Sequence, residues 1–304
     1  LQKKILSFPL NIFNSFPKPL GYQPQSLVRV TPDRKGHHLS QIESVQPDGM
    51  RYVYGIPAYN LTQKEVSFSV SPTGLHCKTG KVRYTAIENS KGNKSGQDQY
   101  FNSVETPAYA HTYLLTAILG KDYEDISGNG PTEDDFGSYT EINYTRVADP
   151  TTGSTVYHWR VPFSKDSANY NPGLYSKAHD DKATYIYGQK EIWLVHSIES
   201  KTMIAEFTYA DRQDGYGVIG ENGGLAGNNL NRRLESITLY AKPDRLLKSD
   251  PTPIKTVYFQ YSYDLCPDTE NSVKSLTSIP PNPHQGKLTL TGLYFTFGFS
   301  KKGS

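Results

Sequence analysis

The sequence is poor in the residues that build metal and redox centres, and it has no long apolar run. Only two cysteines occur in 304 residues, Cys77 and Cys266, and neither stands in a CxxC motif or a Cys/His spacing that suits zinc. A structural zinc site is therefore not expected, and whether the two cysteines pair depends on the fold. No stretch approaches the roughly 18 apolar residues of a transmembrane helix, so we predict no membrane-spanning segment.

The charge of the chain is nearly balanced, which argues against a polyanionic partner. The 32 Lys and Arg residues stand against 30 Asp and Glu residues, for a formal net charge of +2. No overall positive field would attract nucleic acid, so we expect no nucleic-acid partner. The sequence also lacks a GxSxG nucleophile motif and a convergent set of catalytic residues, and we predict that the protein is not an enzyme.

Aromatic and β-branched residues are abundant and stand in patterns typical of β-strands. The 23 Tyr and 12 Phe residues supply aromatic surface for a core, although only 36% of the chain is hydrophobic. Segments 191–200 and 201–210 follow each other without Gly or Pro, which predicts a hairpin. Period-two alternation predicts further strands at 139–147, 155–161, 234–241, 253–263 and 287–297. We therefore predict a mainly β protein of antiparallel sheets, either a sandwich or an open, shell-like meander.

One segment, residues 107–119, predicts a short helix within this β-rich chain. Thr106 can cap its N-terminus, Pro107 stands at the first helical position, and Gly120 follows the last apolar residue. Its buried face would consist of Ala110, Leu114, Ala117 and Ile118.

The chain is interpreted as one β-rich fragment, residues 1–304, of a larger protein, because it begins without Met and without the apolar region of a signal peptide. A polar loop rich in Gly, Ser and Asn at 89–99 is the only candidate boundary. It would separate an N-terminal β segment, 1–88, from the main β meander, 100–304. A second Gly-rich stretch, 211–229, is predicted to be a long exposed loop.

The segment DISGNGPTEDD, residues 125–135, has the composition of a loop that wraps calcium. Ca²⁺ takes six to eight oxygen ligands, and alternating polar side chains, a main-chain carbonyl and a following acid can converge on it. Phe136 stands where an EF-hand has its bidentate Glu, so the prediction is a looser, Asp-rich calcium loop. Its ligands would be Asp125, Ser127, Asn129, Pro131 (through its carbonyl), Glu133 and Asp134. The alternative is a solvated turn without a cofactor, since tight turns prefer the same residues.

Aromatic side chains offer a second candidate site. Trp159 and Trp193 could stack against carbohydrate rings, with a pair of carboxylates for hydrolysis. Ordinary core and cross-strand packing is the alternative for both tryptophans. Glu191, Glu199 and Glu206 are expected to lie on a solvated strand face.

Five segments together resemble parts of very large cell-surface proteins of Bacteroidetes. Those proteins are loosely similar to Rhs/YD-repeat proteins and to the shell proteins of insecticidal toxin complexes. The segments are DGMRYVYGIPAYN (48–60), YGQKEIWLVHSIESKTMIAEF (187–207), RRLESITLYAK (232–242), PIKTVYFQYSYDLC (253–266) and GKLTLTGLYFTFGFSKKG (286–303). The resemblance implies a β-rich scaffold exported to the bacterial cell surface, as one wall of an extended shell that encloses or displays a separate effector region.

Two functions follow from the sequence. The first is a non-enzymatic scaffold or adhesion module of a secreted or surface-exposed bacterial protein, which displays long loops from antiparallel sheets. Its partners would be the rest of its parent chain and a surface glycan or protein. The alternative is a carbohydrate-binding module or a glycoside-active domain.

Overall fold

The computed structural model describes residues 29–71, 75–76, 80–147, 153–171, 180–267, 271–272 and 286–300. Within these residues the chain forms fifteen β-strands and one helix, α1 (Lys242–Leu247). The strands are β1 (Ile42–Val45), β2 (Arg51–Ser69), β3 (Leu75–His76), β4 (Lys81–Arg83), β5 (Phe101–Thr106), β6 (Tyr109–Leu119), β7 (Tyr139–Arg146), β8 (Tyr157–Val161), β9 (Ser167–Asn171), β10 (Lys182–Lys190), β11 (Trp193–Ser200), β12 (Met203–Val218), β13 (Leu225–Ala241), β14 (Lys255–Ser262) and β15 (Thr289–Phe297). Cys77 lies outside the described residues, and Cys266 is exposed and forms no disulfide.

All fifteen strands belong to one antiparallel sheet. Its order is β15-β14-β13-β12-β11-β7-β6-β2-β10-β9-β4-β3, with β1 and β5 on β2 and β8 on β10. From β11 to β15 each strand pairs with the next in the chain, and the predicted hairpin between 191–200 and 201–210 is β11–β12. The prediction of a mainly β, antiparallel protein is confirmed, and the sheet has the open, meander-like form.

The predicted helix near 107–119 is wrong, because the segment is strand β6. It pairs with β2 along nearly its whole length, from Tyr109 to Leu119. Ala117 and Leu119, two positions apart, are buried in a small cluster with Tyr139, which is the spacing of a strand. A helix of this length has little stability of its own, so the ladder with β2 outweighs the local capping signals.

The Gly-rich stretch 211–229, predicted to be an exposed loop, is instead the far end of the long β12–β13 hairpin. Both strands run into it, and only the tip at 219–224 lies outside them. A Cβ on Gly215 would lie 2.9 Å from the Cβ of Asn231 on β13. This glycine therefore marks a close approach of two strands, which its sequence surroundings do not distinguish from a loop.

The tip of this hairpin folds back onto the connection between β8 and β9, so the sheet curls on itself. The Gly224 amide donates to the Phe163 carbonyl at 2.9 Å. A Cβ on Gly223 would lie 2.6 Å from the carbonyl oxygen of Ser164, and its φ of +77° also favours glycine.

The main core lies where the curled sheet encloses the ends of β2 and β10. Its buried members are Val66, Phe68, Val70, Val82, Tyr84, Ala168, Ala183, Tyr185, Tyr187 and Val218. Arg160 is buried beside them, with its guanidinium 4.2 Å from the ring centroid of Tyr185. Its N–H groups donate to the carbonyls of Ser167 and Glu221, each at 2.7 Å, and to the Tyr84 hydroxyl at 3.0 Å. The buried cation is tolerated because its donors are satisfied.

The polar loop at 89–99 is bonded to the sheet. Asn93 donates to the Ser69 carbonyl at 2.8 Å, and Asn89 donates to the Tyr185 hydroxyl at 3.0 Å. Strands on its two sides pair with each other, since β2 precedes the loop while β5, β6 and β10 follow it. One sheet thus spans this point, and a division of the chain there stays a prediction.

Candidate functional site

The candidate calcium segment, 125–135, belongs to the loop that joins β6 to β7. Asp125 accepts the backbone N–H groups of Gly128, Asn129 and Gly130, at 2.7, 3.2 and 2.9 Å. These three amides bind both of its carboxylate oxygens, as in the turns that Asp commonly closes.

Three further predicted ligands take part in the hydrogen bonding of the same loop. The Thr132 hydroxyl lies 3.2 Å from Oδ1 of Asn129 and 2.5 Å from Oδ1 of Asp134. Hydrogen bonds from Thr132, its own backbone and Ser127 lower the pKa of Asp134. The side chains of Ser127, Asn129 and Asp134, predicted to bind an ion, therefore form hydrogen bonds within the loop.

The last two predicted ligands lie at the edge of this network. Glu133 is 3.4 Å from Nζ of Lys242 on α1, and Pro131 is half-buried. Within the described ranges, no group of three or more His, Cys, Asp and Glu side chains is placed to hold a metal ion. Calcium binding by the loop stays a prediction.

The residue that organises the loop is Asp135, which is not among the ligands predicted from the sequence. Asp135 is only 2% exposed. It accepts the Ile126 and Thr132 amides, at 3.0 and 2.8 Å, and the Tyr123 hydroxyl at 2.9 Å. Burial and the bond to Asp135 raise the pKa of Tyr123. The Thr-x-x-Asp spacing of Thr132 and Asp135 is the sequence signal that could have identified this contact.

Glu191, predicted to lie on a solvated strand face, is instead the centre of a buried ion cluster. Its carboxylate lies 2.5 Å from the Arg34 guanidinium and 3.1 Å from that of Arg146. Trp193 donates its indole N–H at 3.1 Å, and the Tyr59 amide donates at 3.3 Å. The cluster fastens the segment that carries Arg34 to the sheet, and it occupies this carboxylate with structural partners.

Trp159 is held by packing on a neighbouring strand, whereas Trp193 is held by its hydrogen bond to Glu191. Trp159 lies opposite Gly188 on β10, where a Cβ would come within 2.6 Å of the indole. Both indoles are half-buried. The surroundings of both tryptophans favour cross-strand packing, which is the alternative to a carbohydrate-binding platform.

A row of polar side chains crosses six neighbouring strands on one face of the sheet. This polar row consists of Asn143, Ser197, Glu206, Thr238, Thr256 and Thr296, each directly opposite the next in the strand register. Asn143, Ser197 and Thr256 are buried, with 3, 0 and 4% exposure. Polar groups thus lie on the inner side of this half of the sheet.

Helix α1 covers the polar row and supplies its cations. Arg245 donates to Glu206 at 2.8 Å, and Nζ of Lys242 lies 3.4 Å from Glu199. Glu199 also accepts from Asn143 at 2.9 Å. Burial raises the pKa of Glu206 against the opposing effect of Arg245, and the nearby Glu199 raises it further. Glu199 is buried and Glu206 half-buried, so the predicted solvated face is wrong for these two residues as well.

No family model, curated protein or solved structure matches this chain. The resemblance to Bacteroidetes surface proteins therefore stays a prediction. Among the helices that the structure describes, none is long and apolar enough to cross a membrane. What the protein does is consequently inferred from its surfaces.

The opposite face of the same strands carries apolar side chains, and we call it the apolar face. It consists of Phe207, Ile237, Leu239, Val257, Phe259, Leu293, Phe295 and Phe297. None of the eight is fully buried, and Leu293, Phe295 and Phe297 are 50, 38 and 61% exposed. Lys255 is a charged neighbour in register, and its Nζ lies 4.0 Å from the ring centroid of Phe295. The described half-sheet thus buries its polar row and leaves its apolar face open, which is typical of an interaction surface.

Proposed function

We propose that this chain is a non-enzymatic scaffold or adhesion module of a larger secreted or surface-exposed bacterial protein. The single observation that carries the proposal is the open apolar face of β12 to β15. Apolar surface left in water costs roughly 25 cal/mol per Å², so a contiguous face of eight large side chains favours a module that packs against other parts of its parent protein.

The display part of the proposal is supported by the β6–β7 loop. Asp125 and Asp135 give this loop a fixed hydrogen-bonded shape, and Glu133 of the loop lies 3.4 Å from Nζ of Lys242 on α1. A loop of defined shape on a rigid sheet can present a contact surface without paying for its ordering on binding. Calcium at Asp125 to Asp134 would stiffen it further, and calorimetry with Ca²⁺ and with chelator tests this, because an ion that binds only the folded state raises the melting temperature.

Hydroxyl-radical footprinting of the apolar face tests the scaffold proposal. In the dilute isolated chain we expect Phe207 and Phe259 to be oxidised, and in the parent protein we expect both to be protected. Ile87, which is 64% exposed and lies in the loop after β4, outside the apolar face, is the internal control and should react in both samples. Equal oxidation of Phe259 in the two samples would contradict the proposal.

The alternative function, a carbohydrate-binding or glycoside-active domain, has a direct test of its own. A glycan array and a turnover screen on polysaccharides should give no signal with the isolated chain. Saturable binding or turnover that disappears in Trp159→Ala or Trp193→Ala, with the fold intact by circular dichroism, would replace the scaffold proposal.

A further inference from the structure

Strand β15 is an unprotected edge of the described sheet. It pairs with β14 on one side, and on its other side the described residues contribute only the bridge between Phe297 and Ser300. Exposed edges are normally blunted by charged residues or Pro, because free N–H and C=O groups invite another strand. The nine residues TLTGLYFTF contain neither, whereas β1 and β5 are shorter and carry Glu43 and Glu105.

Large apolar side chains accompany this edge on both faces. The exposed ones are Leu290 (50%), Leu293 (50%), Tyr294 (36%), Phe295 (38%), Phe297 (61%) and Phe299 (64%). With ~200 Å² for a whole large side chain, these fractions expose about 600 Å² in total. A standard stable interface buries ~800 Å² on each partner, so this patch is large enough for a weak, specific contact.

We propose that β15 pairs with β15 of a second copy of this chain, antiparallel and about a twofold axis at Phe295. This pairing rests on the proposed scaffold role, and it specifies how two modules would join into one continuous sheet. The strand is complementary to itself in this register, because Tyr294 would stand opposite Thr296, and Leu293 would stand opposite Phe297 once the bridge from Phe297 to Ser300 has opened. Phe295 would stand opposite its own copy, and Gly298, which lies beyond β15 in a turn with a φ of +56°, takes no part in the pairing.

A second copy fits this edge better than a charged strand for two reasons. Aromatic and aliphatic cross-strand pairs are favourable, and the absence of charge in β15 means that two copies do not repel each other. An antiparallel pair about a twofold axis occupies the β15 edge of both copies at once, so assembly stops at the dimer. Interfaces below the standard size are typical of weak, transient contacts, so we expect a dissociation constant in the micromolar range.

Sedimentation of the full chain tests the pairing. We expect a monomer–dimer equilibrium at micromolar concentration, and we expect Phe295→Lys to shift it to monomer because two lysines would meet at the axis. Val104→Lys is the matched control, since Val104 is a 55% exposed residue on the edge strand β5 and should leave the dimer unchanged. A wild-type chain that stays monomeric at ~100 μM, or that forms open-ended oligomers, overturns the proposal.

Cysteine cross-linking tests the register, and it applies even where Phe295→Lys affects folding. In a background with Cys77→Ser and Cys266→Ser, Phe295→Cys should form a disulfide with its own copy, because paired residues have Cα atoms about 5 Å apart. Leu293→Cys should not link to itself across about 14 Å, and it should link to Phe297→Cys when the two variants are mixed. Self-linking by Leu293→Cys without self-linking by Phe295→Cys overturns the proposed axis.

These results are separable from those on the scaffold role. A monomeric chain whose Phe207 and Phe259 are protected in the parent protein removes the β15 pairing and leaves the scaffold proposal in place. A chain that dimerises through β15, but whose Phe207 and Phe259 stay reactive in the parent protein, removes the scaffold proposal and leaves the β15 pairing in place.

Discussion

At the scale of single residues, Gly188 determines how closely β8 packs onto β10. The indole of Trp159 occupies the space that a side chain at position 188 would need. We expect Gly188→Ala to lower the free energy of unfolding by about 1–3 kcal/mol, because a methyl group there overpacks the contact. Urea denaturation measures the change, and near-ultraviolet circular dichroism reports on the displaced indole.

Gly36→Ala is the matched control for this substitution. No atom lies within 4 Å of a Cβ at position 36, and the φ of Gly36 is not in the left-handed region. This variant should change the free energy of unfolding by less than about 1 kcal/mol. Equal effects of the two substitutions would show that Trp159 does not pack on Gly188 as described.

Glu191 shows how much one side chain can hold together. Glu191→Gln removes the charge that Arg34 and Arg146 share and leaves the buried Arg34 guanidinium without its counter-ion. We expect a loss of about 3–5 kcal/mol in the free energy of unfolding, since breaking a buried ion pair costs far more than an exposed one. Glu235→Gln, an exposed position on β13, should cost less than about 0.5 kcal/mol in the same denaturation experiment.

At the scale of elements, the polar loop after β4 depends on a single carboxylate. Glu88 is 7% exposed and accepts the Ser71 amide at 2.9 Å and the Thr85 amide at 2.8 Å. Burial by itself would raise the pKa of Glu88, but these hydrogen bonds, together with those from the Ser95 and Thr85 hydroxyls, outweigh it and lower the pKa. The ionised form therefore stabilises the loop and the fold.

This lowered pKa makes a prediction with a definite sign. The contribution of Glu88 to stability is complete above the ordinary Glu pKa of about 4.3 and is lost as the pH falls through the lowered pKa of the folded state. We expect Glu88→Gln to be about 1–3 kcal/mol less stable than wild type at pH 7, and the gap to narrow as the pH falls below the ordinary Glu pKa of about 4.3. Urea denaturation across this range measures it, and a gap that stays constant with pH would refute the assignment.

The error over β6 belongs to the same scale. Thr106, Pro107 and Gly120 stand where a helix would have its cap, first turn and end, and each signal is worth only about 1 kcal/mol. The ladder between β6 and β2 and the burial of Ala117 and Leu119 involve residues some 60 positions apart. Local sequence signals contain no information on such contacts. The pairing of β6 with β2 therefore overrides the helix propensity of the segment.

At the scale of the whole molecule, the tip of the β12–β13 hairpin closes the curl of the sheet. Glu221 accepts from Lys64 and from the Tyr185 hydroxyl, each at 2.7 Å, and its carbonyl accepts from Arg160. We expect Glu221→Ala to speed amide exchange of Gly224 about tenfold or more, because loss of ~1.4 kcal/mol or more would open the tip.

Hydrogen exchange by NMR measures this opening residue by residue. The amide of Tyr258 on β14 lies outside the curl and should keep its wild-type exchange rate, which separates local opening from global unfolding. Unchanged exchange at Gly224 would mean that main-chain bonds hold the tip without Glu221.

The sequence by itself determined the β character of the chain, the β11–β12 hairpin and the succession of β13, β14 and β15. These features depend on local properties, namely the alternation of side chains along a strand and the absence of Gly and Pro at a hairpin. Such properties involve only residues close together in the chain, so they can be identified from the sequence. It also located the β6–β7 loop, where Asp, Asn and Gly cluster.

Only the tertiary structure decided which side of each strand is covered and which edge stays open. Glu191 and Glu199 look like solvated residues in the sequence, yet Arg34 and Lys242 reach them from distant parts of the chain. The same holds for Leu293, Phe295 and Phe297, whose alternation predicts a strand but not that their face is uncovered. Burial depends on contacts between residues far apart in the chain, so a periodic pattern can place side chains on a face without determining what packs against it.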